Sequence, residues 1–392
     1  MSSRNQSHDV TTENSDNVRR NSYKRVVVKV GTGLLTDDAD QLNRFLMADL
    51  VEQISRLHAV GIDIILVSSG AMASGRHILG VPRRGPDVPF RQVLAAVGQG
   101  HLIHAYQQLF DEYNIPIAQA LLSRRDLSDR LGYLNIRNTL LSLLELHVVP
   151  VVNENDVVAS EELAGDIFGD NDNLSAMVAN IVDAEFLVML GEVDGLFTAD
   201  PHVDSNAYLI DEVEQLDNHI KSMAGVSWGG TGQGGMVTKL EAAKLATASG
   251  TDVVIASGLE KDVIVRLMSG KEKIGTFFPT ATTRMESRKR WMMSGLSTKG
   301  AIFVDGGACS ALINHHSSLL PAGVSNVEGA FERGEIVSVL DSKRTQIAAG
   351  ITNYTFEELN KIKGMQSKSI QKVLGHNFGD EIIHRNNMVL LK

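Results

Sequence analysis

Residues 25–33 read RVVVKVGTG, and this stretch indicates the fold class. Its valines are typical of a strand that is buried on both faces, and the glycines that follow end the strand. Similar short runs lie at 62–67, 115–122, 147–152, 185–190 and 252–256. Longer amphipathic stretches lie between the runs, at 42–59, 90–113, 135–146, 170–182 and 235–249. Strands that alternate with helices predict an α/β fold, a three-layer αβα sandwich with a mostly parallel sheet.

The pattern changes after Arg284. Short segments near 299–304, 335–340 and 346–351 are separated by glycines, which is typical of a small β-rich domain. One or two helices are predicted between about residues 355 and 375.

A chain of 392 residues is long enough to form two cores. We therefore predict one domain over residues 23–283 and a second over residues 284–392. Residues 1–22 carry mostly polar and charged side chains, so they cannot repay the entropy of ordering. We predict that they form a disordered tail.

Composition limits the function classes. The chain has one cysteine, Cys309, and no cluster of cysteines and histidines with zinc-ligand spacing, which fits a reducing compartment. No stretch is apolar enough for a membrane span or a signal peptide, so we expect a cytoplasmic protein that does not bind membranes. The net charge of −10 argues against RNA binding, although residues 284–392 carry 14 Lys and Arg against 10 Asp and Glu.

The end of the first strand is a candidate phosphate site. Lys29 precedes Gly31 and Gly33, and glycines allow backbone N–H groups to approach phosphate oxygens closely. The stretch is not a Walker A loop, because no G-x-x-x-x-G-K-[ST] occurs in the chain. A solvated lysine at the rim of the sheet is the alternative interpretation.

Polar clusters follow two other strands. Ser69-Gly70 comes after the second strand, residues 153–156 (NEND) follow the fourth, and residues 169–173 (GDNDN) come shortly afterwards. The carboxyl ends of parallel strands meet at one edge of a sheet, where ligands bind. Such carboxamides and carboxylates can orient the ammonium and carboxylate of an amino acid, a metal ion or lysines, or they can simply form turns and helix caps.

A glycine-rich element over residues 229–239 (GGTGQGGMVTK) opens a helix. It follows no strand, and no acidic residue lies about 20 positions further on, which argues against a Rossmann site. A nucleotide lid that ends in Lys239 is favoured.

Taken together, these residues resemble the amino acid kinase family and, within it, the glutamate 5-kinases. Six segments carry the resemblance: 69–71 (SGA), 98–100 (GQG), 153–156, 169–176, 195–201 (GLFTADP) and 234–239. The remainder resembles a PUA domain, a small pseudo-barrel, through residues 304–308 (VDGGA), 317–321 (SSLLP) and 331–335 (FERGE).

The resemblance implies a role for each candidate residue. The glutamate site would comprise Ser69, Gly70, Asp156, Asn171 and Asp172, with Asp172 helping to hold the ammonium group. Lys29 and Lys239 would stabilise the transferring phosphoryl group, with Asp170 orienting both lysines. The nucleotide site would comprise Lys29, Gly31, Gly191, Glu192, Gln233, Gly234, Gly235, Met236, Val237, Thr238 and Lys239. Gly33, Gly191-Glu192 and Gln233 depart from the family pattern, which places nucleotide contacts in question.

The implied reaction is ATP-dependent phosphorylation of the γ-carboxylate of L-glutamate, the first step of proline synthesis. That carboxylate has a reference pKa of about 4.3, so it needs no general base. Mg²⁺ would bind mainly through ATP oxygens, because the ion retains water and needs few protein ligands.

The resemblance further implies inhibition by proline, a homo-oligomer (dimer or tetramer) and glutamyl phosphate reductase as a partner. Two alternatives remain. One is a kinase of the same fold that acts on aspartate, acetylglutamate, carbamate or UMP. The other is an RNA-binding protein built around the PUA-like domain.

Overall fold

The computed structural model describes residues 23–82, 88–158, 171–201, 203–223, 235–280 and 299–391. The predicted tail, residues 1–22, lies outside the described residues. The chain divides into two compact units. The first comprises residues 1–125 and 137–283, and the second comprises residues 126–136 and 284–392.

A seven-stranded sheet forms the centre of the first unit. Its strands are β1 (Arg25–Val30), β2 (Asp63–Ser68), β3 (Ile117–Leu122), β4 (Val149–Glu154), β5 (Phe186–Gly191), β6 (Asp252–Ser257) and β7 (Thr276–Phe278). The strand order is β3-β4-β2-β1-β5-β6-β7, and all pairs are parallel except β6 with β7. The carboxyl ends of β1 to β6 therefore lie at one edge of the sheet.

Helices connect these strands and flank the sheet, as the alternating pattern predicts. They are α1 (Thr32–Leu35), α2 (Arg44–Ala59), α3 (Ala71–Leu79), α4 (Val88–Asp111), α5 (Arg124–Ser128), α6 (Arg130–Glu145), α7 (Asn171–Ile181), α8 (Asn218–Met223), α9 (Met236–Ala248) and α10 (Val263–Ser269). None of the described helices is long and apolar enough to span a membrane.

The central strand is buried completely. Val26, Val27 and Val28 have no exposed surface, because helices cover both faces of the sheet. The side chains of α2 and α4 fill the core on one face, with Met47, Ile54, Leu102 and Phe110 among its buried members. This architecture confirms the predicted α/β fold class.

Helices α3 and α4 pack with their backbones in close approach. An added Cβ at Gly75 would lie 1.8 Å from the carbonyl oxygen of Leu94, and one at Gly98 would lie 1.8 Å from that of Ala71. Only glycine fits at these two positions, since the obstacle is backbone. The contact sets the distance between α4 and α3, and α3 begins just after the end of β2.

The second unit contains a five-stranded sheet in the order β12-β11-β10-β8-β9. Its elements are β8 (Gly300–Val304), α11 (Gly306–His315), β9 (Val324–Gly329), β10 (Ile336–Leu340), β11 (Gln346–Ile351), α12 (Phe356–Ile362), α13 (Ile370–Leu374) and β12 (Met388–Leu390), with 3-10 turns at Pro321–Gly323, Ser367–Ser369 and Arg385–Asn387. The prediction of a β-rich second region is confirmed. Helix α11 was not expected, because Gly306-Gly307 indicates a turn. The Asp305 side chain caps this helix by accepting from the Ala308 N–H at 2.7 Å.

Residues 126–136 cluster with the second unit, although the predicted domains place them in the first. Leu134 is fully buried in an apolar cluster with Ile336, Ala349, Ile351 and Val389. Arg333 also donates from Nη2 to Asn135 Oδ1 at 2.9 Å. The second unit is therefore built from two separate stretches of the chain.

Candidate active site

Two lysines share one buried carboxylate at the carboxyl edge of the large sheet. Lys29 Nζ lies 2.5 Å from Asp172 Oδ1, and Lys239 Nζ lies 3.1 Å from Asp172 Oδ2. The hydroxyl of Thr238 donates to Asp172 Oδ2 at 2.9 Å. The exposed fractions of Lys29, Asp172 and Lys239 are 2%, 0% and 7%, so all three charges are removed from water.

Each charge comes from a different element. Lys29 precedes the last residue of β1, Asp172 is the second residue of α7, and Lys239 lies in the first turns of α9. Buried charges are costly unless they are paired, and here one carboxylate pairs with two ammonium groups. The cluster of three side chains therefore carries one excess positive charge, which attracts an anion.

Asn171, next to Asp172 in the chain, faces a different set of partners. Its Nδ2 lies 3.0 Å from the Ser68 carbonyl oxygen, 2.9 Å from Ser69 Oγ and 3.1 Å from Asn153 Oδ1. Its Oδ1 is buried and has no hydrogen-bond partner among the described residues. A buried acceptor of this kind can take a hydrogen bond from a ligand.

The turn after β2 presents Ser69. Gly70 adopts φ 94°, a left-handed conformation that favours glycine, and begins the turn into α3. Ser69 is 6% exposed, and its Oγ accepts from Asn171, so the hydroxyl hydrogen remains to be donated. The Ser69 hydroxyl, a donor, is thus on the residue that contacts Asn171, whose Oδ1 is an acceptor. An amino acid requires such a pair, because its carboxylate accepts hydrogen bonds and its ammonium group donates them.

Asp156 lies two residues beyond the end of β4. Burial raises the pKa of its carboxyl to about 6, opposed by a hydrogen bond from its own backbone N–H. A cationic ligand group next to this carboxylate would recover part of the desolvation cost.

The predicted nucleotide residues lie along the neighbouring strand ends. A Cβ at Gly31 would lie 3.8 Å from Lys29 Nζ, and one at Gly191 would lie 3.5 Å from Lys239 Cε. Both glycines therefore lie next to the cluster formed by Lys29, Asp172 and Lys239. In α9, which follows Gly235, Met236 is buried and Val237 is exposed.

Two departures from the family pattern contact each other. A Cβ at Gly33 would lie 2.4 Å from Glu192 Oε2, so the Glu192 carboxylate occupies the space that a larger residue 33 would need. Glu192 thereby places a carboxylate beside Gly33, just after the end of β1.

Three predicted site residues, Asp170, Gln233 and Gly234, lie outside the described residues. The predicted role of Asp170 in orienting the lysines therefore stays a prediction. Asp172, predicted to hold an ammonium group of the substrate, instead contacts Lys29 and Lys239.

Two residues of this site were absent from the predicted set. Asn153 belongs to the NEND cluster at residues 153–156, but the predicted glutamate site included only Asp156 from that cluster. Gln99, on α4, accepts from Asn153 Nδ2 at 2.7 Å. Its only signal in the sequence is membership of the GQG segment at 98–100.

The chain is similar to known proteins along most of its length. Residues 24–257 match the amino acid kinase family, and residues 300–374 match the PUA domain. A glutamate 5-kinase from Dehalococcoides mccartyi (strain CBDB1) is 50% identical over 374 residues, which cover 95% of this chain and 100% of that protein. A glutamate 5-kinase from Herpetosiphon aurantiacus is 47% identical over 370 residues, with coverage of 94% and 99%.

Among solved structures, UMP kinase from Ureaplasma parvum covers 66% of this chain and 99% of its own, at 15% sequence identity and a TM-score of 0.46. The family match spans strands β1 to β6 and both groups of site residues, and the two curated relatives extend over nearly the whole chain. The chain therefore belongs to the amino acid kinase family.

Proposed function

We propose that this protein transfers the γ-phosphoryl group of ATP to the γ-carboxylate of L-glutamate. The observation that carries the proposal is that Asn171 and Asp172, consecutive residues at the start of α7, contact two different sets of side chains. Asn171 faces Ser69 and Asn153, which suit the α end of an amino acid. Asp172 faces Lys29 and Lys239, which suit a phosphoryl group. The two curated relatives named above are glutamate 5-kinases.

The α end of glutamate carries one carboxylate and one ammonium group. The Ser69 hydroxyl donates to the carboxylate, while Asn171 Oδ1 and the Asp156 carboxylate accept from the ammonium. This assignment gives the Ser69 hydroxyl hydrogen, Asn171 Oδ1 and the Asp156 carboxylate partners of the opposite kind. Asp172 is left to the lysines, in place of the ammonium role that resemblance implied.

The reacting end needs charge neutralisation rather than proton removal. The γ-carboxylate is ionised at neutral pH and attacks directly, so its repulsion from the triphosphate is the main obstacle. Lys29 and Lys239 approach from β1 and α9, and their shared contact with Asp172 fixes their separation. Preorganised positive charge of this kind stabilises a phosphoryl group most strongly during transfer.

Mg²⁺ is expected to bind with ATP, whose oxygens supply several ligands while water supplies others. Bound there, the ion would neutralise phosphate charge. The Glu192 carboxylate lies beside Gly33. It is a hard oxygen donor of the kind that Mg²⁺ prefers, so this residue fits the ion. Glu192 would hold it.

We further propose the setting of the reaction. The product is an acyl phosphate, a reactive species that a reductase would consume in proline synthesis. Proline also carries a carboxylate and an ammonium group, so it fits the Ser69 and Asn171 pair and would compete with glutamate. A homo-oligomer, either a dimer or a tetramer, and a cytoplasmic location complete the proposal.

A coupled assay with ATP, Mg²⁺ and a panel of acidic substrates tests the assignment. We expect ATP consumption with L-glutamate and formation of the hydroxamate when hydroxylamine is present. Turnover with aspartate, acetylglutamate, carbamate or UMP, but not with glutamate, would replace glutamate by that substrate. Insensitivity to proline would remove the inhibition proposal and leave the kinase proposal standing.

A further inference from the structure

We propose that Gln99 is a positioning residue for the glutamate site, because its side-chain oxygen completes the hydrogen bonds that orient Asn153 and, through it, Asn171. The proposal rests on the proposed function, since glutamate is taken as the ligand of Asn171. Gln99 need not touch the substrate to act in this way.

Backbone groups identify which side-chain atom of each asparagine is the oxygen and which is the nitrogen. The Ser68 carbonyl oxygen can only accept, so the atom of Asn171 that lies 3.0 Å away must be its Nδ2. The Glu154 N–H can only donate, so the atom of Asn153 that lies 2.8 Å away must be its Oδ1. The amide assignments therefore do not depend on each other.

These orientations leave the Asn153 NH₂ group facing α4. Asn153 is 3% exposed, so an unpaired N–H at this position would be costly. Gln99 Oε1 accepts from it at 2.7 Å. Gln99 is thus the partner that makes the observed orientation of Asn153 favourable.

The position of Gln99 is itself fixed. Its neighbour Gly98 lies where the backbones of α3 and α4 approach, with the Ala71 carbonyl oxygen 1.8 Å from the place of a Cβ. The backbone of α4 therefore cannot move closer to α3. The backbone that carries Gln99 is therefore held close to α3.

The consequence lies at Asn171. Asn153 Oδ1 accepts from Asn171 Nδ2 at 3.1 Å, so the Asn171 amide hydrogens point away from the substrate and its Oδ1 remains without a described partner. If Asn153 lost Gln99, its buried NH₂ group would lose its acceptor, and the amide would be held only by the Glu154 N–H and by Asn171. The acceptor for the substrate's ammonium would then be less well ordered.

The test compares two substitutions of Gln99. Gln99→Met keeps the length and removes the acceptor, so we expect the KM for L-glutamate to rise about tenfold, with kcat and the KM for ATP within about twofold of wild type. Gln99→Glu keeps an acceptor oxygen, so its KM should stay within about threefold of wild type. Gln107→Met on the same helix is the control, because Gln107 is exposed and contacts Asp111.

Thermal stabilisation by L-glutamate provides a second measurement that requires no turnover. Gln99→Met should need about tenfold more glutamate than wild type for the same rise in Tm. Gln99→Ala, which suits a helix, replaces Gln99→Met if the latter does not fold.

An unchanged KM in Gln99→Met, or equal increases in Gln99→Met and Gln99→Glu, would overturn the proposal. Equal increases would show that packing, and not the acceptor, is what matters at this position. A wild-type protein that neither phosphorylates nor binds glutamate would instead overturn the proposed function.

Discussion

Asp172 holds Lys29 at 2.5 Å where both side chains are almost completely buried. The same carboxylate reaches Lys239 from the other side, so a single residue fixes the spacing of two positive charges. Since like charges repel, this shared carboxylate offsets the repulsion between the two lysines in a site that excludes water.

Removing either lysine charge should damage the chemical step. Lys29→Met and Lys239→Met should each lower kcat by about 100-fold to 1000-fold, because a contact made in the transition state contributes about 3 to 4 kcal/mol. The KM for glutamate should change much less. Steady-state kinetics measures both, and Lys244→Met on the exposed face of α9 is the control. Values of kcat within a few fold of wild type would refute the proposed roles of Lys29 and Lys239.

Asp172→Asn should lower both kcat and stability. The change leaves two buried ammonium groups without their shared carboxylate, so the free energy of unfolding should fall by about 3 to 5 kcal/mol. Denaturant unfolding measures this loss. Asp262→Asn, which breaks an exposed pair with Arg56, should cost less than about 1 kcal/mol. A rise in the KM for glutamate with normal kcat would instead support the substrate role that resemblance implied.

The pH dependence should report Asp156. Its carboxyl, with a pKa of about 6, must be ionised to accept from the substrate's ammonium. We expect kcat/KM for glutamate to fall as the pH drops through about 6, because at pH 5 only about a tenth of the protein has the ionised form. Asp156→Asn should have a lower kcat/KM that lacks this step. The same step in Asp156→Asn would assign it to another group.

Two glycines on α4 should respond oppositely to alanine. A Cβ at Gly98 would overlap the Ala71 carbonyl oxygen, so Gly98→Ala should destabilise the protein by about 3 kcal/mol. No atom lies within 4 Å of a Cβ at Gly100, so Gly100→Ala should stabilise the helix by about 0.5 to 1 kcal/mol. Thermal unfolding compares them. Equal effects would contradict the close approach of α3 and α4.

A chain shortened after Thr283 should retain glutamate-dependent activity, because the proposed site residues all precede that point. It should also be less soluble, since Leu134 would lose the apolar side chains that bury it. Leu134→Gln in the shortened chain should restore solubility, as measured by light scattering. A folded, soluble shortened chain without activity would refute the predicted division between domains.

We expect weak or no RNA binding by the full chain at physiological salt.

Local patterns predicted the elements with small errors. The run at 25–30 coincides with β1, and the run at 147–152 is displaced by two residues from β4, which spans 149–154. Short buried strands separated by helices leave few alternatives, so the α/β class followed from the hydrophobic pattern alone. Helix α11 was missed because its first residues are glycines, which usually indicate a turn.

The residue types that gather at the carboxyl edge of the sheet could be identified from the chain alone. Every parallel strand ends at that same edge, whatever the order of the strands in the sheet. Lys29, Ser69 and Asp156 were therefore identifiable before any contact was known. The sequence also placed a polar cluster at the start of α7.

Tertiary structure alone decided which member of that cluster contacts which partner. Consecutive helical residues point about 100° apart, so Asn171 and Asp172 face different neighbours that no linear pattern specifies. The partnership of Gln99 with Asn153 likewise joins residues 54 positions apart and depends on how closely α4 packs against α3. A hydrogen bond tolerates a change of only a few tenths of an ångström in its donor–acceptor distance. Only the packed structure sets distances with that precision.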